Sequence, residues 1–429
     1  MVKGTPKKTG FETPVNPAEK EPWPKVRLGD VCEIHLGKTP PRGNSRYWCQ
    51  ECDDGCTWLS IADLSHLDNG IVFNSKEFIT QEAVKENNIF LVAEGTLLLS
   101  FKLTLGRAAI AGRKLCTNEA IAALPLQDLY GNKIDKRYLV WYFTYFDWDE
   151  FASKDEKVLG KTLNKKKLAE VPVILPPLPV QRSIVARLEK ELGAVDRMAK
   201  GFEKMAEEAD AVFKAELKET FEEVTHGGTE TRRLGDVCET TSGGTPLKQH
   251  EDYYKGGTIP WLRSGEVCKK DITQTELFIT EKGLRNSSAK LVPKDSVVVA
   301  MYGATAGQVG ILRIEATTNQ AICVILPSET WSPEFMYYQL LNKNDEMVAQ
   351  AQGGAQPNIS QIKIKNLLVA LPPLCDSTTL RETKSLSQHA VVARLDAAKA
   401  KCEAIKSAAQ RGAAECARLR KAILKEVFE

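Results

Sequence analysis

The chain has 429 residues, more than one hydrophobic core usually serves, so its length predicts two or three domains. Its composition, 43% hydrophobic and 27% charged, excludes global disorder. The formal net charge of +2 excludes bulk basicity as evidence for a nucleic-acid partner, so any nucleic-acid-binding face requires local clustering of Lys and Arg.

The first residues and the cysteines indicate a compartment. Residues 1–25 hold Pro and Lys where a signal peptide needs an apolar stretch, and no run of about 18 apolar residues occurs anywhere. The eleven cysteines are scattered along the chain, which is typical of a reduced compartment rather than a disulfide framework. We expect a disordered tail over 1–25 and a cytoplasmic protein without membrane contact.

Two copies of one sequence pattern organise the chain. RLGDVCEIHLGKTP (27–40) matches RLGDVCETTSGGTP (233–246) at ten of fourteen positions. Shorter matches follow in the same order, including WL (58–59 and 261–262), LPPL (175–178 and 371–374) and KAELKETFE with KAILKEVFE (214–222 and 421–429). Matches repeated in order indicate a tandem duplication.

Each copy changes character along its length. Short β-rich runs such as 95–100 and 295–300, separated by Gly-bearing turns, predict a compact α/β module. A Pro-free segment rich in Glu, Lys, Ala and Arg follows, and its apolar residues recur at threes and fours, which predicts a long helix. The predicted parts are a first module (26–179), a first helix (180–223), a linker (224–231), a second module (232–386) and a second helix (387–429).

The apolar seams of the two helices predict that they pack on each other. The first seam is bulky in its middle and the second is small there, so large side chains of one helix would sit over small ones of the other. The packing residues are Leu188, Val195, Phe202 and Met205 on the first helix and Leu395, Cys402, Ile405, Ala409 and Gly412 on the second. We predict an antiparallel coiled coil with pseudo-two-fold symmetry, because parallel packing would need the whole second module as a return connection. The alternative is that each helix packs on its own module.

The order of these motifs, found twice, resembles the specificity (S) subunit of type I restriction-modification systems. The resemblance extends from Val26 to Glu429. It implies that each α/β module is a target-recognition domain, and that the paired helices are a spacer on which modification subunits dock. The chain departs from the family after Pro-Pro-Leu, where Glu-Gln is common: it has Val180-Gln181 in one copy and, after an inserted 375–385, Ser387-Gln388 in the other.

Motifs for catalysis are missing from the sequence. There is no GxGxxG run after a strand and no Asn-Pro-Pro-aromatic run, and Asp155 stands where the first glycine of a P-loop ending at Thr162 belongs. We expect a non-catalytic subunit that binds no cofactor. The resemblance implies that S-adenosylmethionine, ATP and Mg act in partner modification subunits, expected to be two, and in restriction subunits. The alternative function is a coiled-coil scaffold joining two protein-binding modules.

Two similar but non-identical modules on a rod predict a bipartite, asymmetric site on double-stranded DNA. Loops that differ between the copies are the candidate DNA contacts. In the first module they hold Arg42, Asn44, Arg46, Tyr47, Lys102, Thr104, Arg107, Lys161, Asn164, Lys165, Lys166 and Lys167. In the second they hold Lys248, Gln249, His250, Tyr253, Tyr302, Thr305, Gln308, Gln356 and Asn358. The alternative for each loop is a solvated surface without DNA contact.

Two further clusters have alternative interpretations. Cys49, Cys52 and Cys56 have the spacing of a structural zinc clip with a fourth ligand from 53, 54 or 66; the alternative is an inserted loop of reduced thiols. The aromatic run 141–148 could stack flipped bases, but we predict that it is core, because aromatic residues occupy the matching helix of the second copy.

Overall fold

The computed structural model describes residues 23–50, 55–65, 67, 70–153, 162–349, 358–375 and 386–428. The chain divides into two compact units, the first formed by residues 1–199 with 414–429 and the second by residues 200–413. Within the described residues, none of the helices is both long and apolar enough to cross a membrane.

Among its described residues, the first copy of the repeat contains eleven short strands and six α-helices. The strands are β1 (Lys25–Arg27), β2 (His35–Leu36), β3 (Trp48–Cys49), β4 (Cys56–Leu59), β5 (Ile71–Val72), β6 (Phe78–Ile79), β7 (Leu97–Ser100), β8 (Ala108–Ala111), β9 (Cys116–Thr117), β10 (Ile121–Leu124) and β11 (Pro172–Ile174). The helices are α1 (Leu28–Val31), α2 (Gln81–Glu86), α3 (Lys136–Tyr145), α4 (Trp148–Ser153), α5 (Lys165–Ala169) and α6 (Leu178–His226).

The second copy repeats this order of elements, except that it has no counterpart of β3 and has an additional strand, Leu291–Val292, before the strand equivalent to β7. Its strands are β12 (Thr231–Arg233), β13 (Thr240–Ser242), β14 (Ile259–Leu262), β15 (Asp271–Ile272), β16 (Leu277–Ile279), β17 (Leu291–Val292), β18 (Ser296–Ala300), β19 (Val309–Leu312), β20 (Ala316–Thr318), β21 (Ile322–Ile325) and β22 (Leu368–Ala370). Its helices are α7 (Leu234–Val237), α8 (Glu281–Arg285), α9 (Pro333–Asn342), α10 (Asn344–Ala349), α11 (Gln361–Lys365) and α12 (Gln388–Phe428).

The two modules share the topology of their five-stranded sheet but differ in one edge strand of the four-stranded sheet, which is β3 in the first module and β17 in the second. A five-stranded sheet has the order β2-β10-β7-β8-β5 in the first and β13-β21-β18-β19-β15 in the second. In both sheets only the last pair is parallel. A four-stranded sheet accompanies it, in the order β3-β6-β4-β9 and β16-β14-β20-β17, and β1 pairs with β11 as β12 pairs with β22. The prediction of two tandem α/β modules, each followed by a long helix, is confirmed.

The central strands are buried on both faces. Every residue of β7 and of the valine-rich β18 is buried, as is expected of β-branched and aliphatic runs between two layers. Helices α3 and α9 cover one face, and α9 begins with Ser332 capping the amide of Phe335 and Pro333 in the first turn. The aromatic residues of α3 and α9 lie in this core, which confirms their predicted role.

A buried glutamine fixes the start of α6. Gln181 is 1% exposed, and its Oε1 accepts from the amide of Asp135, the cap of α3. Its Nε2 donates to the carbonyl oxygens of Lys133 and Pro176, at 3.0 and 2.7 Å. One side chain therefore satisfies three backbone groups that secondary structure leaves unpaired.

Gln388 makes the same three bonds at the start of α12. Its Oε1 accepts from the amide of Ser332 at 2.9 Å, and its Nε2 donates to the carbonyl oxygens of Thr330 and Pro372, at 2.9 and 2.7 Å. The helix thus begins in the same way in both copies, although 375–385 is inserted before it. The inserted residues after Cys375 lie outside the described part of the chain.

Helix α6 extends beyond the segment expected from the sequence. It continues to His226, where Thr225 returns its hydroxyl to the carbonyl oxygen of Phe221. Gly228, with φ of +87°, follows in the left-handed conformation that ends helices. Only four residues separate α6 from β12.

Candidate DNA interface and helix pair

In each module two of the candidate loops lie side by side. Lys102, in the loop between β7 and β8, forms a β-bridge with Thr162, and the amide of Leu163 donates to the carbonyl oxygen of Phe101 at 2.9 Å. The second module has the same contacts between Tyr302 and Asn358, and between Ile359 and Met301 at 2.8 Å. The structure therefore brings together candidates that are about 60 residues apart in sequence.

A third segment joins these loops, and sequence reasoning missed it. In the first module Arg107 Nη1 donates to the carbonyl oxygen of Ile61 at 3.0 Å and to Ser65 Oγ. In the second, Thr305 Oγ1 donates to the carbonyl oxygen of Ser264 at 3.1 Å. These acceptors lie in or beside two 3₁₀ turns, 61–64 in the first module and 264–266 in the second. The sequence signal that could have located the turns is a polar residue three positions before an acidic one.

Glycine is required where each hairpin loop ends. Gly106 and Gly307 have φ of +83° and +86°, which side-chain-bearing residues rarely adopt. A Cβ on Gly106 would overlap the ring of Trp148, and one on Gly307 would crowd Asn344 and Val348. Both loops are therefore packed tightly on the helix that follows α3 or α9.

The joined loops of the first module carry several cations outside close ion pairs, although the charge of Lys102 contributes to lowering the pKa of Glu119. Among the described residues no carboxylate lies within ion-pair distance of Lys102 or Arg107, and Lys165 and Lys166 are exposed at the start of α5. Lys167 is different, because it pairs with Glu170 at 3.7 Å and lies over the ring of Phe151. Unpaired cations on an exposed loop are suited to phosphate contacts.

Polar caps complete this surface. Asn164 accepts from the amide of Lys167 at 2.8 Å and so caps α5, while Thr104 is exposed. In the second module Gln308 and Asn358 are exposed and Tyr302 is partly so. The candidates Lys161 and Gln356 lie outside the described residues.

The first candidate loop of the first module is neutralised by a row of glutamates. Arg42 pairs with Glu77 and lies 4.0 Å from the ring centroid of Trp48. Arg46 pairs with Glu82 at 3.3 Å. The remaining polar residues are also engaged, since Asn44 caps the 3₁₀ turn 45–47 and Tyr47 donates to a carboxylate that raises its pKa. Reading DNA with these side chains would require breaking these contacts.

The matching loop of the second module is more open. Lys248, Gln249 and His250 are exposed. His250 stacks on Tyr253 with ring centroids 4.7 Å apart, and the Tyr253 side chain is buried. Tyr253 therefore anchors this loop to its module, whereas Lys248, Gln249 and His250 face solvent.

The cysteine cluster is only partly described, because Cys52 and the fourth-ligand candidates Asp53, Asp54 and His66 lie outside the described residues. Cys56 is buried with its Sγ 2.8 Å from that of Cys116.

The pairing of the strands separates the other thiol. Cys56 and Trp48 both pair with Ile79, so they project to one face of the sheet and the adjacent Cys49 to the other. The zinc clip stays a prediction, and the structure makes Cys116, which the sequence did not indicate, the nearest thiol to Cys56.

The two long helices pack in antiparallel sense within each unit. In the first unit Arg187 Nη2 lies 2.6 Å from Glu426 Oε1, and Arg420 Nη1 lies 2.7 Å from Asp196 Oδ1. Advancing along α6 thus moves backwards along α12. The predicted packing residues Leu188 and Val195 are buried here.

The second unit continues the same pattern. Arg394 contacts Glu216 and Glu223 at 2.6 and 2.8 Å, and Lys406 contacts Asp210 at 3.0 Å. The predicted residues Leu395, Cys402 and Ala409 are buried. The predicted antiparallel pairing of the helices is confirmed.

One bulky residue sits over a glycine, as the seams predicted. A Cβ on Gly412 would approach the ring of Phe202 to 2.4 Å, so the ring occupies the space that glycine leaves.

Ile405, predicted as a packing residue, lies at the edge of the helix contact and is 40% exposed, so its role in packing stays a prediction. The preceding residue in the seam, Cys402, is buried. The residues at seven-residue intervals from Cys402 along α12 are buried as well. A pair of helices buries one row of apolar seam residues completely. The second row lies at the edge of the contact and stays partly exposed to solvent. There Ile405, Val212 and the half-buried Met205 line a groove of about 580 Å³ in the second unit.

Comparisons with known proteins agree on one family. Residues 20–196 and 227–410 match the family model described as type I restriction modification DNA specificity domain. The chain belongs to this family of type I specificity subunits. The type I restriction enzyme MjaIX specificity subunit of Methanocaldococcus jannaschii is 24% identical over 388 residues, which cover 84% of this chain and 85% of the relative. The HindI specificity subunit of Haemophilus influenzae is 28% identical over 46% of this chain and 42% of its own.

Solved structures show the same fold. The HsdS subunit from Thermoanaerobacter tengcongensis superposes with a TM-score of 0.51 at 19% identity, over 95% of this chain and 96% of that one. A chain from a structure of complex assembly and conformational transition of the type I R-M system gives 0.70 at 18% identity, over 96% and 98%. The chain is thus a DNA specificity subunit with two tandem recognition domains, a non-catalytic component of its system. DNA and the modification and restriction subunits are the partners that the family implies.

Proposed function

We propose that each recognition domain reads one half of a bipartite, asymmetric site on double-stranded DNA through its three joined segments. The observation that carries the proposal is the difference in side chains on one shared arrangement. Lys102 and Arg107 in the first domain correspond to Tyr302 and Gln308 in the second. Different hydrogen-bonding groups on equivalent loops would select different bases.

Electrostatics supports a division of labour within the first domain. Lys165 and Lys166 would contact phosphates, which position the domain without reading sequence. The hairpin loop with Lys102 and Arg107 would approach the bases, because a two-stranded ribbon fits the major groove. The neutralised Arg42 and Arg46 would lie outside the contact.

Replacing residues 26–177 with the equivalent of another family member tests the assignment of the half-sites. Sequencing methylated adenines in cells that carry the whole system should then show one changed half-site and one unchanged. The reciprocal replacement of residues 232–373 should change the other half. If either replacement changed both halves together, the domains would not read separately.

We also propose that the helix pair docks two modification subunits. Aligning 214–222 with 421–429 makes Met198 the counterpart of Ile405, and Val212 the counterpart of Leu419. All four side chains are exposed, Val212 by 68%. Exposed apolar residues at repeat-related positions give two similar surfaces, one in each unit.

Charge substitution at one surface at a time tests the docking. Val212→Glu with Ile405→Glu should remove one modification subunit from the complex, and Met198→Glu with Leu419→Glu the other. Native mass spectrometry would count the subunits, and each variant is the matched control of the other. Retention of two modification subunits by both variants would contradict the proposal.

The rigid helices would set the gap between the half-sites. Because four residues separate α6 from β12, a four-residue helical insertion after Glu223 should lengthen the gap by about two base pairs. The methylome of this variant should keep both half-site sequences. An unchanged gap with full methylation would mean that other contacts fix the domains.

Catalysis would lie in the partner subunits. We infer that S-adenosylmethionine is bound by the modification subunits, that ATP and Mg serve the partner subunits, and that the complex works in the cytoplasm where it meets DNA. The purified specificity subunit alone should transfer no methyl group and cleave no DNA. Methyl transfer by a preparation free of partner subunits would contradict this.

A further inference from the structure

Leu103 combines a strained backbone with an exposed apolar side chain. It has φ of +61° and its side chain is 75% exposed. Two other described non-glycine residues have positive φ, Asn88 and Asp295, and these two residue types tolerate that conformation. A leucine does not, and an exposed leucine gains no burial in return.

The second domain shows what the fold itself requires at this point. Lys102 and Tyr302 occupy equivalent positions, since each bridges to the loop before α5 or α11. The next residue is Leu103 in the first domain and Gly303 in the second, where φ is +78°. Both loops therefore place a left-handed residue directly after the bridging residue, although the second loop is one residue longer and continues into a 3₁₀ turn (Gly303–Thr305). Glycine adopts this conformation without strain.

The turn around Leu103 is held in place. The amide of Thr104 donates to the carbonyl oxygen of Lys102 at 2.7 Å, which closes a three-residue turn of the strained kind. Ser100 Oγ donates to the carbonyl oxygen of Thr104 at 2.5 Å. Strain that surrounding contacts maintain is typical of functional sites, because it presents a side chain in one fixed direction.

We propose that Leu103 contacts the C5-methyl group of a thymine in the first half-site. The proposal rests on the proposed reading of DNA by the first domain. Leu103 stands at the tip of a hairpin, between the unpaired cations Lys102 and Arg107. A hairpin fits the major groove, and the apolar feature that base edges present there is the thymine methyl group.

Geometry favours this contact over insertion between bases. Apolar side chains that wedge open a base step act from the minor groove, whereas the wider major groove admits a two-stranded ribbon without opening the base stack. Because Gly303 offers no side chain, the second half-site has no corresponding contact. Leu103 is therefore a determinant of the difference between the two half-sites.

The test uses the full chain assembled with its modification subunits and a duplex carrying the recognised site. Fluorescence anisotropy measures the affinity after replacing each thymine of the first half-site by uracil, which removes only the methyl group. The protein variants are Leu103→Gly, Leu103→Ala and, as a matched control, Leu129→Ala, which truncates a leucine that is 67% exposed outside the joined loops. Thermal unfolding of each variant is recorded in parallel.

One uracil substitution should weaken binding by the wild-type complex about fourfold, the factor that one methyl-sized apolar contact supplies. Leu103→Gly should weaken binding of the thymine duplex by about tenfold and be insensitive to that uracil. Its unfolding midpoint should be unchanged or higher, since glycine relieves the left-handed strain, so misfolding cannot explain the loss. Leu103→Ala should bind weakly as well, and Leu129→Ala should bind as the wild type does.

Wild-type affinity in Leu103→Gly, or a first half-site without thymine, would overturn the proposal. Weakened binding by Leu103→Gly without any effect of uracil on the wild-type complex would also overturn it. In that case, a rise in 2-aminopurine fluorescence on binding would indicate that Leu103 inserts between bases. The domain replacement described above distinguishes this failure from failure of the proposed function, because it tests whether the first domain reads that half-site at all.

Discussion

The two recognition domains differ in what they present to solvent and agree in what supports the backbone. Trp58 and Trp261 donate from Nε1 to the carbonyl oxygens of Lys38 and Gly244, each at 3.0 Å. The glutamine at the start of each long helix makes the same three bonds in both copies. The joined loops, by contrast, carry different side chains in the two domains. The backbone frame is therefore kept while the side chains of these exposed loops are exchanged.

The largest expected effect breaks the shared frame. Gln181→Leu and Gln388→Leu should each cost about 3 kcal/mol of unfolding free energy, because each leaves three buried backbone groups without partners. Hydrogen exchange resolved along the chain would locate the loss in the unit that carries the substitution. Gln249→Leu, at an exposed position, is the control and should change little.

If the two substitutions cost different amounts of unfolding free energy, the two glutamines would make the same hydrogen bonds but contribute unequally to stability. The 375–385 insertion precedes only Gln388, so a smaller loss there would mean that this segment supplies alternative hydrogen bonds.

A smaller effect is expected where the helices differ. Gly412→Ala should cost about 1–2 kcal/mol in the second unit, since the added methyl group meets the ring of Phe202. Phe202→Leu should reduce that cost in the double variant, and thermal unfolding of the four-member cycle measures the coupling. Gly201→Ala, where a Cβ meets nothing within 4 Å, is the control and should stabilise the helix slightly. If the two substitutions contributed additively to the free energy of unfolding, the packing of Phe202 would not depend on the space that Gly412 leaves.

The sequence predicted the elements that periodicity and repetition mark. The repeat located both modules, β7 and β18 followed from short aliphatic runs, the seams predicted that the helices pair, and the chain connectivity predicted their antiparallel sense. Periodicity could not separate a fully buried row from its edge, so Ile405 was assigned to the packing. Periodicity also gave no indication that Gln181 is buried, because a polar residue near the start of a helix is usually expected to be exposed.

The candidate site was harder to predict. The loops around Lys102 and Lys165 were found from their differences between copies, but their contact depends on strand order, which no local pattern encodes. Leu103 was missed because the loop candidates were chosen for hydrogen-bonding side chains, which leucine lacks, and no sequence pattern shows its left-handed φ. Glu77, before β6, and Glu82, on α2, neutralise Arg42 and Arg46, and a charge count along the chain does not show which carboxylates lie beside them.

The smallest expected effect concerns an ion pair specific to the second domain. Asp396, on α12, accepts from Lys270 Nζ and Tyr338 Oη, both at 2.5 Å, with Lys399 one turn along the helix. Partial burial raises the pKa of Asp396, but the hydrogen bonds from Lys270 and Tyr338 outweigh it, and the pKa is lowered. Its first-domain counterpart, Glu189, contacts Arg137 at 3.2 Å.

Because the folded pKa of Asp396 lies below its unfolded value of about 4, the stability it contributes is present above that pH and lost as pH falls through the folded pKa. Asp396→Asn should therefore cost roughly 1 kcal/mol or less at pH 7, where solvent screens a partly exposed pair, and progressively less as pH falls below about 4. Urea unfolding over a series of pH values measures the decline, with Glu189→Gln as the control in the first domain. A cost that did not decline at all with falling pH would show that Asp396 acts through packing and not through its charge.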